Sequence, residues 1–431
     1  MVSRSTQVVV GLSDCYLVTR LGKDAFAATS TGSINAFAVM VGFMGTVFIV
    51  SSFASQMFGR GDQVGARRFA FYGLALAGIT ELVCLLARPV VPFILAHTDY
   101  TPQVRELMDQ YLVVRLWSGG AVIGMEALAN YYGGIGRTRL PMIASVIAMV
   151  LNVFLNIALI NGKWGAPALG VKGSALASTL ATTIAFALLV GIFAFEGRKF
   201  PWPELRFEEF KRVLRFGLPS GVNWFLEFFA YNFWVNVVVG SLGTVAVGAM
   251  MAVIQVNSFS FMPAFGLASG GAILVGQAIG AGRKDDVPGL VSMTFRTAAV
   301  WQGLVGFAYL LLPTMLLTPL APSDAVHDFL EVGARILMLS AAWQLFDAAV
   351  NTTGEALRAA GDTSYLLKAR LTVAWAIFVP GAYVSVKYLG WREVGAAFWL
   401  VTYLVVLAGA LFLRFRSGKW RELQLIDPVV G

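Results

Sequence analysis

Long apolar runs separated by short polar breaks dominate the chain. A helix needs roughly 20 mostly apolar residues to cross a hydrocarbon core about 30 Å thick, because each residue rises 1.5 Å. Twelve segments qualify as candidates, at 5–19, 30–57, 69–95, 106–134, 140–160, 171–196, 214–240, 244–279, 289–318, 326–357, 364–386 and 394–415, and only the first is too short to cross. One long polar stretch interrupts the series, from Gly197 to Arg215, with Pro201 and Pro203 among its charges. The pattern predicts an all-α integral membrane protein with an N-terminal lobe over 1–196, a cytoplasmic linker over 197–213, a C-terminal lobe over 214–415 and a cytoplasmic tail over 416–431.

An internal repeat supports that division. Leu21-Gly22 recurs as Leu242-Gly243, and Gln56, Gly59 and Gly61 recur as Gln277, Gly280 and Gly282, all displaced by 221 positions. Gly136-Arg137-Thr138 is answered by Gly361-Asp362-Thr363, displaced by 225. Six helices per half is an even number, so the pseudo-symmetric halves run in the same direction, related by an axis along the membrane normal. The same offset, applied to the seventh segment's start near Leu214 and to Pro219, places their first-half equivalents before Met1. The first helix therefore reads as truncated at its N-terminal end.

Composition narrows the class. The chain has 431 residues, 58% apolar and 13% charged, with a mean hydropathy of +0.73, whereas soluble proteins carry about 25% charged residues. The 32 Lys plus Arg exceed the 24 Asp plus Glu by 8. Because these charges lie between apolar runs, the excess is read against a bilayer and not against nucleic acid. The even-numbered connections and the tail hold most of the basic residues, among them Arg60, Arg67, Arg68, Arg137, Arg139, Lys211, Arg212, Arg283, Lys284, Arg414 and Arg416, which places both termini in the cytoplasm. Two Cys and two His are too few for a disulfide framework or a thiolate or imidazole metal centre.

Inside lipid an ionisable side chain costs from about 2.5 kcal/mol upward, so each one asks for a partner, a wet cavity or a task. Glu227 lies deep in the seventh segment, flanked at i−4 and i+4 by Asn223 and Tyr231 on one stripe. Asp347 sits mid-way along the tenth segment, with Asn351 and Glu355 at successive i+4 steps and Trp343 one turn earlier. Carboxylate, amide and hydroxyl oxygens suit a small hard cation, and a desolvated carboxylate is also suited to hold a proton. Asp14, with Asn152 and Asn156 spaced i, i+4 on the fifth segment, forms the corresponding first-half candidate. Gln255 joins the cavity-polar set with Asn152, Asn156, Asn223, Tyr231, Trp343 and Asn351. Glu126 reads as helix packing, Glu355 with Arg358 as a local ion pair, and Glu81 with Arg88 as a mutually neutralising or snorkelling pair. Gly280-Ala281-Gly282 closes a helix instead of following a strand, and there is no G-x-x-x-x-G-K-S/T string. Any transport must therefore run on an ion or substrate gradient, with no cofactor beyond H⁺ or Na⁺ as coupling ion. No nucleophile–base spacing supports an enzyme.

These passages resemble a family, the multidrug and toxic compound extrusion (MATE) transporters, over nearly the whole chain. The most specific are Gly217-Leu218-Pro219 with Glu227 eight residues past the proline, and Phe261-Met262-Pro263 leading to Gly276-Gln277-Ala278-Ile279-Gly280-Ala281-Gly282. Asp347 leading to Gly354-Glu355-Ala356-Leu357-Arg358 and on to Gly361-Asp362-Thr363 is the third, and Asn152 to Asn156 followed by Gly170-Val171-Lys172-Gly173 is the fourth. The resemblance implies a cation-coupled antiporter exporting organic cations or drugs across the plasma membrane, the bacterial inner membrane, by alternating access. It implies coupling through Asp14, and a cation site, with Na⁺ as one candidate, at Glu227 and Asp347. Retaining both of the latter resembles the NorM branch, and Asn156 agrees with that assignment. Trp343 stands where such members can place a Tyr, and it offers no oxygen to a metal ion. The expected partners are small organic cations, the coupling ion and membrane lipids, with no nucleic acid, and the protein is expected to be a monomer. The rival of the same architecture is a flippase or exporter of lipid-linked saccharides.

Overall fold

The computed structural model describes residue 14 and residues 17–321 and 326–426. Among these it is helical, with no strand. Ten helices are long and apolar enough to cross a membrane: Lys23–Gly59, Gln63–Ala96, Pro102–Gly134, Arg139–Asn161, Gly170–Gly197, Phe207–Leu242, Thr244–Gly280, Val326–Ala359, Thr363–Lys387 and Arg392–Arg416. Lys284–Leu311 and Pro313–Leu320 make an eleventh span if counted together across their 97° bend. In order, these are the second to twelfth predicted segments. The first segment, 5–19, lies mostly outside the described residues, as do Met1 and the other positions on which its expected truncation turns.

Short signals fix the helix ends. The Asp62 side chain accepts the Gly65 N–H at 2.7 Å to start one helix, and Thr101 with Pro102 behind it starts another. The glycines of the repeat mark helix stops. Gly61 and Gly282 adopt φ of 85° and 77°, and the following N–H bonds back toward the helix, Asp62 to the Met57 carbonyl at 3.0 Å and Arg283 to the Ala278 carbonyl at 2.8 Å. This is the Schellman stop, which needs a left-handed residue that glycine supplies without strain.

The chain divides into two compact units, Val2–Gly221 and Val222–Gly431. The boundary falls inside the Phe207–Phe233 helix, just past Pro219. The linker belongs to the N-terminal unit because its charges are paired there: Glu209 accepts from Arg68 at 2.6 Å and from the Tyr72 hydroxyl at 2.9 Å. The Tyr72 hydroxyl also accepts the Arg206 N–H at 2.8 Å.

In the N-terminal unit Lys23–Val47 packs on Pro102–Arg115, Gln63–Ala87 on Gly119–Gly134, and Arg139–Asn161 on Gly170–Gly197. In the C-terminal unit the equivalent helices pack in the equivalent way: Thr244–Gly280 and Val287–Leu311 both pack on Val326–Ala359, and Val379–Lys387 packs on Arg392–Arg416. The repeat seen in the sequence is thus a repeat of packing. The C-terminal unit also contains two π-helical stretches, Trp234–Val239 and Val373–Phe378, whose Trp234 and Phe378 rings lie 5.8 Å apart.

Two acids outside the proposed ion sites are accounted for structurally. Glu355 pairs with Arg358 at 2.5 Å, as expected. Glu81 is not partnered as the sequence suggested. Its carboxylate accepts the Gly120 N–H at 2.6 Å, while Arg88 donates to the Val113 carbonyl at 3.1 Å and lies 4.5 Å over the Trp117 ring. Gly120 is the second residue of a helix that restarts at Gly119 after a 3-10 turn, Leu116–Ser118, and a carboxylate suits such an N-terminus.

Candidate cation sites

In the N-terminal unit the fifth and sixth predicted segments form a helical hairpin, and its polar residues converge on Asp14. Asn156 donates to Asp14 Oδ1, and Ser178 donates to Oδ2 at 3.3 Å. Asn156 also donates to Asn152 Oδ1 at 3.1 Å, and Asn152 donates to Ser178 at 2.9 Å. Asn152, Asn156 and Ser178 are buried. The i, i+4 spacing of the two asparagines makes this cluster possible. Ser178 was not anticipated, since one serine in an apolar helix carries no distinguishing pattern. Among the described residues the Asn156 side-chain oxygen is buried with no hydrogen-bond partner.

In the C-terminal unit Asp347 stands at the end of a buried polar chain. Gln302 donates to its Oδ2 at 2.7 Å and reaches Gln344 Oε1 at 3.4 Å. Gln344 accepts from Ser260 at 2.8 Å and donates to Asn257 Oδ1 at 2.7 Å, and Asn257 donates to Ser340 at 3.2 Å. Three helices are tied together through amides and hydroxyls. Gln302 is 1% exposed, and its oxygen too is buried without a partner. Of these residues the sequence pointed to Asp347 alone. Gln344 lies three residues before it on the same helix face and was legible there, whereas Gln302 and Asn257 come from other helices. Asn351 donates to the Asp347 main-chain carbonyl at 3.0 Å.

Glu227 does not share that chain. Arg370 donates to Oε1 and Oε2 at 3.0 and 3.1 Å, Tyr403 donates to Oε1 at 2.8 Å, and Asn223 donates to Oε2 at 3.0 Å. Four hydrogen bonds from three side chains fill the roughly four lone-pair positions of a carboxylate. The sequence paired Glu227 with Asp347 as a Na⁺ site, and in this structure the Glu227 carboxylate is held by a guanidinium. The pair is partly open, with the two side chains 20% and 30% exposed. The Arg370 guanidinium also lies against the Asp347 helix, its Nη2 3.4 Å from where a Cβ on Gly354 would stand, two turns past Asp347. Arg370 was missed because only acids were sought inside the apolar segments, although a buried base is as costly.

Three further expected cavity residues take no part in these hydrogen bonds to Asp14, Asp347 and Glu227. Trp343 is buried in an apolar cluster with Val350, Leu357 and Leu407, so it packs the core. The Tyr231 ring is 40% exposed and lies 6.1 Å from the Trp234 ring. Gln255 is half-buried. Among the described residues no three His, Cys, Asp or Glu side chains gather as a metal cluster.

The family model described as MatE matches residues 1–158 and 219–384. A "Probable multidrug resistance protein NorM" of Thermotoga maritima is 25% identical over 425 residues, covering 97% of this chain and 90% of that one. A protein of the same description from Neisseria meningitidis serogroup A is 30% identical over 295 residues, 65% of this chain and 62% of that one. Among solved structures, a MATE protein in complex with MaL6 superposes with a TM-score of 0.88 at 19% identity, covering 98% of this chain and 95% of that one. An outward-facing multidrug resistance MATE family transporter of the MOP superfamily gives 0.88 at 18%, covering 98% and 94%.

Proposed function

The chain belongs to the MatE family, and from that premise we propose that it is a multidrug efflux protein exporting organic cations across the bacterial inner membrane in exchange for H⁺ or Na⁺. It is a secondary transporter and not an enzyme. The observation that carries the ion-coupling reading is common to both units: a carboxylate, Asp14 or Asp347, held by an amide whose own oxygen is buried without a donor among the described residues. A carboxylate oxygen beside a free amide oxygen is a fitting ligand set for a small hard cation. It equally suits a proton, since a protonated carboxyl can donate to that amide oxygen.

In this mechanism the coupling ion and the drug compete for the negative charge of Asp14 and Asp347. A ligand moves a conformational equilibrium only by its differential affinity for the two states, so exchange at these carboxylates would drive the alternation between inward- and outward-open forms. Glu227 takes a different part from the one its sequence position suggested, as the counter-charge of Arg370. The basic bias of the even-numbered connections supports placing both termini in the cytoplasm, and we read the protein as a monomer surrounded by membrane lipids.

Arg370 is the one observation favouring the rival, a carrier of lipid-linked saccharides, because a base inside the bundle suits an anionic headgroup. Efflux from cells separates the two. Expression of the parent should lower ethidium accumulation, and D14N and D347N should each lose export by about tenfold or more, equivalent to about 1.4 kcal/mol of coupling. Variants that export like the parent would remove both carboxylates from the mechanism.

A further inference from the structure

Five acids of the C-terminal unit are buried or half-buried among the described residues: Glu227, Asp347, Glu355, Asp362 and Glu393. Four are matched by an arginine, Glu227 by Arg370 at 3.0 Å, Glu355 by Arg358 at 2.5 Å, Asp362 by Arg414 at 2.6 Å and Glu393 by Arg392 at 3.4 Å. Among the described residues Asp347 has only neutral donors on its carboxylate. The unit therefore presents one uncompensated negative charge, although its sequence reads as a pair of deep acids.

We propose that Arg370 is a specificity-determining residue: it acts as a resident cation on Glu227, leaves Asp347 as the single free charge, and so selects monocationic over dicationic ligands. The inference rests on the export reading and deepens it by naming the charge class of the substrate. Geometry makes Arg370 a stable resident. One guanidinium nitrogen, Nη1, bridges both oxygens of Glu227, and Tyr403 and Asn223 donate to that carboxylate as well. A mobile monocation meeting this pair would have to displace a bridging, charged donor, whereas at Asp347 it meets one carboxylate and neutral amides. A dication at Asp347 would keep one charge unmatched and face the Arg370 charge nearby.

The energetic lever is the loss of one positive charge. At an effective dielectric of about 20, a unit charge within roughly 10 Å changes the affinity of a monocation by about tenfold, and that of a dication by about the square of this. The dication-to-monocation ratio should therefore move by about tenfold. The experiment measures uptake of tetraphenylphosphonium, a monocation, and methyl viologen, a dication, by the full-length protein in proteoliposomes. R370Q should raise the viologen-to-phosphonium ratio by about tenfold or more. The double variant E227Q/R370Q removes both charges, keeps the net charge of the site and should return the ratio to within about threefold of the parent.

A ratio in R370Q within about twofold of the parent, or a double variant that shifts as far as the single, overturns the inference. A purely structural role for Arg370 would lower both probes together and leave the ratio alone. In variants that fold without transporting, equilibrium binding of the two probes to detergent-purified protein gives the same ratio and decides by the same thresholds. Failure of the export reading looks different, because the parent itself would then move neither probe under any gradient.

Discussion

Replacing Glu81 tests whether a deep acid can be wholly structural. The helix that resumes at Gly119 follows a 3-10 turn, and its N-cap, Ser118, is engaged elsewhere, donating to the Arg115 carbonyl at 2.8 Å. The N–H groups of a first helical turn have no partner within the helix, and lipid offers them no water. Glu81 supplies the acceptor for Gly120 from the neighbouring helix at 2.6 Å. The fit depends on glycine, because a Cβ at position 120 would stand 2.8 Å from the Glu81 Cβ and 3.0 Å from the Ala77 carbonyl oxygen. A hydrogen bond to a charged group contributes about 1.5–3 kcal/mol, and an anion at a helix N-terminus adds about 0.3–1 kcal/mol. E81A should therefore cost roughly 2–4 kcal/mol. At about 2–4 °C per kcal/mol for a unit of this size, the melting temperature in detergent should fall by roughly 4–16 °C. E81Q keeps a neutral acceptor and should lose about half as much. R88A removes the cation over Trp117 and should cost about 1 kcal/mol or less. A fall of under about 1 °C for E81A, or an R88A effect as large as that of E81A, would refute the capping role and revive the Glu81–Arg88 pair.

Two further outcomes follow from packing and charge. A Cβ on Gly221 would lie 2.3 Å from the Gly42 carbonyl oxygen and 2.1 Å from Thr46 Oγ1, so G221A must push two backbones apart and should cost about 1–3 kcal/mol; G78A, with nothing within 4 Å, is the control and should melt like the parent. R358A leaves Glu355 charged and nearly buried, 12% exposed, and should lower stability by about 3–5 kcal/mol, whereas the joint replacement E355Q/R358M should recover most of that loss in the same melting assay.

The spans were legible because a bilayer imposes one length on every crossing helix, and the second to twelfth segments reappear in order near their predicted bounds. The repeat was legible because its glycines serve at left-handed helix stops such as Gly61 and Gly282, where other residues are strained. The partners of the deep charges were not legible. Arg370, Tyr403 and Gln302 come from helices far along the chain, and no local spacing links them to Glu227 or Asp347. Glu81 and Arg88 share a helix face, which made them look like partners. The backbone of the next segment claimed the carboxylate, because an unpaired N–H in lipid is costly. Trp343 sat on a polar stripe by spacing alone, and its bulk is taken up by the core.

The central claim is that a small cation exchanges with the exported ligand at Asp14 and Asp347. Uptake of ethidium into proteoliposomes holding the purified parent, with ΔpH and ΔNa⁺ imposed separately, tests it most directly. The account predicts accumulation driven by at least one of the two gradients, and its loss in D14N/D347N. Equal ethidium movement with and without both gradients, or gradient-driven uptake that survives in the double variant, would contradict it.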